Sequence, residues 1–235
     1  DYRKILKEGF ENRWIDVYQN VGKRSGAYSA GAVVHPFVLM NYTGTLDSQF
    51  TLAHEMGHSM HSAFSRANQH YHYAGYEIFV AEVASTCNEL LLSHHLLEER
   101  PDDRLFRASI FTRLADDIRA TIYRQTMFAE FELFMHETVE QGIPLTAELL
   151  NKKYYELNKL YYGPTVEPDR DIELEWARIP HFHYNFYVYK YATGMSAALK
   201  LAANLRSGKK ELREAYLGFL KAGSSKDVLE IMGDA

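Results

Sequence analysis

The spacing of the apolar residues constrains the fold of this chain more than any other feature of its sequence. Apolar side chains recur at steps of three and four residues along most of the chain, which is typical of helices with one buried face. This pattern predicts helices at residues 1–20, 49–66, 76–100, 102–141, 146–161, 192–205, 211–220 and 226–232. Residues 33–42 instead favour β structure, so we expect one edge strand or small hairpin near residues 27–42. The sequence therefore predicts a mainly α protein with residues 1–235 in a single domain.

Two of the predicted helices carry further signals. Asp47 or Ser48 is expected to cap the helix at residues 49–66, because a short polar side chain can accept the unpaired amide hydrogens of the first turn. The pattern at residues 102–141 is longer than most helices. We therefore expect a kink or a break within that segment.

Composition excludes several classes of protein. The chain has 26 Lys and Arg against 31 Asp and Glu, and the resulting net charge of −5 argues against a nucleic-acid-binding surface. Its single cysteine, Cys87, cannot form an internal disulfide and fits a reducing compartment. No apolar run reaches the roughly 18 to 20 residues that cross a bilayer, and the first residues lack the apolar core of a signal peptide. These features predict a cytoplasmic protein with no nucleic-acid or membrane partner.

The two ends of the chain suggest a longer parent protein. The sequence starts with Asp1, inside a helical pattern, and stops at Ala235 without a closing element. We therefore expect a fragment that lacks an N-terminal part and the extreme C-terminus of that parent.

The pentapeptide His-Glu-Met-Gly-His at residues 54–58 predicts a metal site. Two imidazoles four residues apart project from the same face of a helix, so His54 and His58 can bind one zinc ion. Glu55 is offset by one position and can reach the open side of that metal, where a carboxylate can take a proton from an activated water. A catalytic zinc site normally has a third protein ligand.

The identity of the third ligand stays open when spacing alone is considered. In the longer HExxHxxGxxH pattern the third histidine would fall at position 64, but Phe64 cannot bind a metal. An acidic residue of the next helix is then expected, and Glu77, Glu82 and Glu89 are the candidates. Glu82 and Glu89 lie seven residues apart on one face, so one could bind zinc while the other hydrogen-bonds a ligand histidine.

Several segments together carry a resemblance to a known family. They are FTLAHEMGHSMHS at 50–62, IFVAEVAST at 78–86, GAYSAG at 26–31, HPFVLMNY at 35–42 and IPH at 179–181. In these segments the chain resembles the oligoendopeptidase F branch of the thimet oligopeptidase family, zinc metallopeptidases that cleave short peptides inside a mostly helical channel. The resemblance implies a mainly α, zincin-like catalytic domain.

The same resemblance implies roles for individual residues. Glu82 becomes the third zinc ligand beside His54 and His58, and Glu55 becomes the general base. His61 also matches a family position and is interpreted, like Glu89, as a residue that supports the ligands from behind.

Residues 179–191 form an aromatic tract that core packing alone would explain in most chains. Family members use a histidine and tyrosines of this region to bind substrate and to stabilise the oxyanion. The resemblance therefore implies a catalytic role for His181 and Tyr189, and it implies substrate binding by His181, Tyr184 and Tyr187.

These observations predict a zinc-dependent metalloendopeptidase with one zinc ion per chain and oligopeptide substrates. The β-rich segment at residues 33–42 is expected to pair with extended substrate as an added strand. The alternative is a truncated, non-catalytic fragment that still binds peptide or metal.

Overall fold

The computed structural model describes residues 1–235, which form nine α-helices and three short strands. In chain order these are α1 (Tyr2–Glu11), β1 (Ile15–Asp16), β2 (Tyr28–Ala30), β3 (Phe37–Leu39), α2 (Leu46–Asn68), α3 (Ile78–Glu99), α4 (Arg104–Ile118), α5 (Arg124–Glu140), α6 (Ala147–Tyr162), α7 (Tyr189–Arg206), α8 (Lys210–Lys221) and α9 (Val228–Gly233). The predicted mainly α fold with one small β element near residues 27–42 is confirmed. No helix has both the length and the apolar character needed to cross a membrane.

The chain is organised as two compact units. The first contains Asp1–Ile110 and Ser196–Ala235, and the second contains Phe111–Met195. Both boundaries between the units fall inside helices, one in α4 and the other in α7. That all residues act as one catalytic domain stays a prediction.

The N-terminal helix is shorter than the prediction of a helix at residues 1–20. Helix α1 ends at Glu11, and Arg13 then adopts a left-handed φ of 58° that breaks the helical path. Trp14 follows and is buried in a core cluster of the first unit, with Val38, Met40, Met56 and Met60. The apolar residues after position 12 are thus spaced as in a helix but lie in an extended segment, where Trp14 is buried and Tyr18 is exposed.

The three strands form one small sheet in the order β1-β3-β2. Strand β3 pairs antiparallel with β2, which is the predicted hairpin, and parallel with β1. Because β3 has a partner strand on both sides, it offers no open edge. The expectation that the segment at residues 33–42 pairs with substrate is therefore wrong for Phe37–Leu39, and β2 forms one outer edge of this sheet instead.

Helix α2 begins at a capping box. The Thr45 side chain accepts from the Ser48 amide, and the Ser48 hydroxyl accepts from the Thr45 amide. The predicted cap at Asp47 or Ser48 is therefore wrong, since Thr45 is the cap and Ser48 is its reciprocal partner. Helix α3 differs from its predicted limits by two residues or fewer.

The second unit is built around α5 and α6. Its core contains a cluster of buried side chains from these helices and the aromatic tract: Met127, Phe128, Phe131, Leu150, Tyr154, Leu157, Ile179 and Val188. The expected kink at residues 102–141 corresponds to a π-helical segment, Arg119–Tyr123, between α4 and α5. Two stretches of 3₁₀-helix, Arg170–Arg178 and Pro180–His183, lead towards α7.

Candidate metal centre

Two helices of the first unit bring together three side chains that could hold a metal ion. His54 and His58 project from α2 and Glu82 from α3, and their ligand atoms all lie within 4.8 Å of one another. The Nε2 atoms of the two histidines are 3.1 Å apart. Oε2 of Glu82 lies 3.4 Å from Nε2 of His54 and 3.8 Å from Nε2 of His58. These are the three residues to which the family resemblance assigned the role of zinc ligand.

The separations of these atoms fit a tetrahedral metal ion. Ligand atoms about 2.0–2.1 Å from such an ion lie roughly 3.3–3.4 Å from one another. The three observed separations of 3.1, 3.4 and 3.8 Å bracket that value. Two imidazoles and one carboxylate suit zinc, and three protein ligands leave the fourth position that a catalytic site needs.

Spacing alone could not decide which of three glutamates at or within α3 lies beside the two histidines, and the structure distinguishes them. Glu82 joins the two histidines, whereas Oε1 of Glu89 lies 2.8 Å from the opposite ring nitrogen of His54. Glu77 is exposed at the start of α3 and does not belong to the cluster. Glu89 thus occupies the position expected of a residue that orients a metal ligand.

Hydrogen bonds behind the two histidines turn their lone pairs towards each other. The Glu89 carboxylate can only accept, so Nδ1 of His54 donates to it and Nε2 carries a lone pair. A backbone hydrogen bond to Ala81 favours the same tautomer of His58. Two lone pairs and the Glu82 carboxylate therefore converge within a few ångströms. With both rings neutral, such a set of acceptors repels itself, and either a proton on one ring or a metal ion between them relieves the repulsion.

The pKa values of the two histidines shift in opposite directions. Burial lowers the pKa of His54, but the hydrogen bond and the charge of Glu89 outweigh burial and raise this pKa above its ordinary value. For His58, burial and the neighbouring His54 lower the pKa to about 4. His58 is therefore neutral at pH 7, which is the form that binds a metal.

Glu55 is a buried carboxylate beside the three ligands. Its Oε2 atom is buried and has no hydrogen-bond partner within the protein. Burial raises the pKa of Glu55, the charge of His54 lowers it, and the charge of Glu82 raises it again. A backbone hydrogen bond from Ser29 in β2 reaches this carboxylate, and the Ser29 hydroxyl lies 2.9 Å from that of Ser59 in α2. A carboxylate with a raised pKa and an unused acceptor atom is suited to accept a proton.

His61 lies one turn beyond His58 and is almost completely buried. Its ring stacks on Tyr76, with centroids 3.7 Å apart, and is tilted against Phe219 of α8 at 5.1 Å. The Tyr76 hydroxyl lies 2.7 Å from that of Ser62. The structure thus places His61 in an aromatic stack behind the centre. Sequence analysis did not single out Tyr76, and no motif or spacing in the chain marks it.

The residues expected to bind substrate lie in the second unit. Nε2 of His181 is 3.3 Å from the hydroxyl of Tyr191, and the His181 ring lies 5.7 Å from that of Tyr187. Tyr184 and Tyr189 are exposed, the latter at the first residue of α7. Tyr191 was not among the predicted site residues, although the density of tyrosines in this tract is a signal that includes it.

Comparisons with known proteins agree with this arrangement. The profile of peptidase family M3 matches residues 1–235. The chain is 50% identical to oligopeptidase PepF of Bacillus subtilis and 51% identical to an oligoendopeptidase F homolog of Lactococcus lactis; each match covers 100% of the chain but 35% and 39% of those relatives. The crystal structure of oligoendopeptidase-F from Enterococcus faecium matches 81% of the chain and 34% of its own, with 49% identity and a TM-score of 0.72.

Proposed function

Because this chain belongs to peptidase family M3, we propose that it contains the metal centre and the general base of a zinc-dependent metalloendopeptidase of the HExxH gluzincin type. Its substrates in this proposal are short oligopeptides, and it holds one zinc ion per chain. The printed names of the relatives, oligopeptidase and oligoendopeptidase, support this substrate class.

The convergence of three acceptors carries the proposal. His54, His58 and Glu82 direct two lone pairs and a carboxylate oxygen at one point. Glu89 supports His54 from behind through a 2.8 Å hydrogen bond, which fixes the tautomer that binds metal. We propose these three residues as the zinc ligands, with Glu89 and His61 as their supports.

Glu55 acts as general base in the proposed reaction. A zinc ion held by His54, His58 and Glu82 would supply Lewis acidity, which would lower the pKa of a water and polarise the scissile carbonyl. Glu55 takes the proton of the attacking water and later delivers it to the leaving amine, so one carboxylate serves both halves of the reaction. Its unpartnered Oε2 atom and its raised pKa support this role.

His181 and Tyr189 are proposed to stabilise the oxyanion that forms when the carbonyl becomes tetrahedral. Donors that are already in position contribute about 3–4 kcal/mol to such a step. Tyr184, Tyr187 and His181 are proposed to bind the peptide. The hydrogen-bond distance between His181 and Tyr191 supports a defined orientation of the imidazole.

A second candidate function follows from the length of the chain. It spans 35% and 39% of the relatives named above, so most of the length of those proteins has no counterpart in it. A chain that binds peptide or metal without turnover is therefore the alternative, because loss of orientation alone can remove several powers of ten in rate. We also propose a cytoplasmic location, which the presence of a single cysteine supports.

Zinc content and peptide hydrolysis, measured on the same samples, test these proposals. We expect one zinc ion per chain in the wild type, a reduced content in Glu82→Ala, and wild-type content in the control Glu77→Ala on the exposed start of α3. Glu55→Gln should keep its zinc and lose about 10²- to 10⁴-fold in the hydrolysis of a quenched peptide. Zinc binding without turnover in the wild type would favour the non-catalytic alternative, and a wild type that binds no zinc would refute the zinc-dependent function.

A further inference from the structure

Gly57 lies where the backbones of α2 and α3 approach each other closely. A Cβ atom at this position would be 2.6 Å from Cα of Ser85 and 2.9 Å from the carbonyl oxygen of Ala84. Both atoms belong to the backbone of α3, so no side chain can rotate away to make room. Glycine is less favourable than alanine inside a helix, and a glycine retained there usually has a packing or functional reason.

The crossing point lies among the proposed zinc ligands. On α2, Gly57 follows His54 by three residues, so it lies on the same side of the helix as that histidine, and it directly precedes His58. On α3, Ser85 lies one turn after Glu82 and one turn before Glu89. The point at which the two helices touch therefore has one acidic residue of α3 on each side of it.

Short contacts on both sides of the crossing depend on this separation. Oε2 of Glu82 is 3.4 Å from Nε2 of His54, and Oε1 of Glu89 is 2.8 Å from Nδ1 of the same ring. The Ser85 hydroxyl also donates to the carbonyl oxygen of Glu82 at 3.0 Å. If α3 moved away by roughly an ångström, as a methyl group at Gly57 requires, both glutamates would move away from His54 together.

We infer that Gly57 is a positioning residue of the metal centre: its missing side chain sets the distance between α2 and α3 at which Glu82 and Glu89 reach His54. This inference rests on the proposed zinc site. Gly57 is the fourth residue of the His-Glu-Met-Gly-His segment, and it can neither bind a metal nor transfer a proton through a side chain. The inference gives this residue a role in spacing the two helices. Glycine is needed at this position because α3 passes close by; no turn or left-handed φ requires it.

Zinc affinity measured by competition with a chromophoric chelator tests the inference, with urea unfolding of the metal-free protein measured alongside. We expect Gly57→Ala to weaken zinc binding by about 10- to 100-fold, the range seen when groups that orient metal ligands are lost. Gly218→Ala is the matched control, because Gly218 also lies inside a helix but a Cβ there meets nothing within 4 Å. Ile231→Ala, at a buried position in α9, controls for loss of stability.

A second measurement reports the geometry of the metal ligands independently of the strength of metal binding. The visible absorption of the cobalt-substituted protein reports the ligand set, so Gly57→Ala should alter this spectrum while Gly218→Ala and Ile231→Ala preserve it. If Gly57→Ala does not fold, Glu82→Asp tests the same claim without disturbing the helix crossing. Aspartate is shorter than glutamate by one methylene. If the distance between α2 and α3 suits the length of glutamate, Glu82→Asp should lose at least fivefold in zinc affinity.

The outcomes separate this inference from the proposed function. A zinc affinity of Gly57→Ala within fivefold of wild type would overturn the inference, and so would an equal loss of affinity in Ile231→Ala. If Gly57→Ala does not fold, a zinc affinity of Glu82→Asp within fivefold of wild type would overturn it. A wild type that binds no zinc would overturn the zinc site itself, and the inference with it. The inference is supported if zinc affinity falls at least fivefold in Gly57→Ala and not in the control variants. If Gly57→Ala does not fold, the same loss of zinc affinity in Glu82→Asp supports it.

Discussion

Replacement of Glu89 by glutamine isolates the contribution of one charge to metal binding. Oε1 of Glu89 lies 2.8 Å from Nδ1 of His54, and the two side chains are 22% and 26% exposed. Glutamine keeps the shape of the side chain and an oxygen that can accept the same hydrogen bond, so the ionic part of the interaction is lost and the geometry is preserved. The ligand atoms of the zinc site are not touched.

The size of the effect follows from the strength of a charge-assisted hydrogen bond. Such bonds contribute about 1.5–3 kcal/mol and neutral ones about 0.5–1.5 kcal/mol, so removing the charge while keeping the bond costs about 1–1.5 kcal/mol. Since about 1.4 kcal/mol corresponds to a factor of ten in an equilibrium constant, Glu89→Gln should raise the dissociation constant for zinc about tenfold. The free energy of unfolding of the metal-free protein should change much less, because the hydrogen bond itself remains.

Chelator competition at pH 7.5 measures the dissociation constant directly. Glu99→Gln provides the matched control, because Glu99 is exposed at the end of the same helix and its substitution changes the net charge equally. A dissociation constant within twofold of wild type in Glu89→Gln would refute the reasoning. The same increase in both variants would also refute it, since a general effect of net charge would then explain the result.

Three further predictions concern stability. Burial lowers the pKa of His61 to about 3, below its value in the unfolded chain, so the stability contributed by neutral His61 is present above pH 6.5 and is lost as the pH falls. Urea unfolding of the metal-free protein should therefore lose about 2 kcal/mol more stability between pH 7 and pH 5 in the wild type than in His61→Phe; equal losses in the two proteins would contradict this. Thr45→Ala removes the cap of α2 and should cost about 1 kcal/mol at pH 7, whereas an unchanged urea midpoint would show that the cap adds nothing. Glu175→Gln takes the charge from a buried carboxylate that accepts from Arg124 and Tyr154, each at 2.7 Å, and should lower the free energy of unfolding by about 2–3 kcal/mol; thermal unfolding unchanged from wild type would contradict this.

The helices were predictable because their signals are local. The spacing of apolar residues gave the limits of α3 within two residues, and the expected break in a long helical pattern corresponds to the π-helical segment Arg119–Tyr123. Strand β1 was not predictable in this way, since it is two residues long and forms only because β3 lies beside it. Tertiary pairing of this kind has no trace in a short stretch of sequence.

The metal centre shows the same division between local and distant information. The four-residue spacing of His54 and His58 was sufficient to pair them, because one helix holds both. Spacing could not choose among the glutamates of α3, since that choice depends on how two helices cross. The family resemblance implied Glu82, but the closeness of Gly57 to the α3 backbone, which accounts for the crossing, was not recognised in the sequence.

The first unit is discontinuous along the chain, and this limits the order in which the protein can complete its fold during synthesis. Helices α2 and α3 are complete once residue 99 has left the ribosome, so the proposed zinc ligands can meet early. Phe219, which packs on His61, and Lys221, whose carbonyl oxygen accepts from Gln69, are made only after all of the second unit. The end of α2 therefore stays uncovered while more than a hundred further residues emerge, and the nascent chain exposes apolar surface to chaperones and to aggregation throughout that interval.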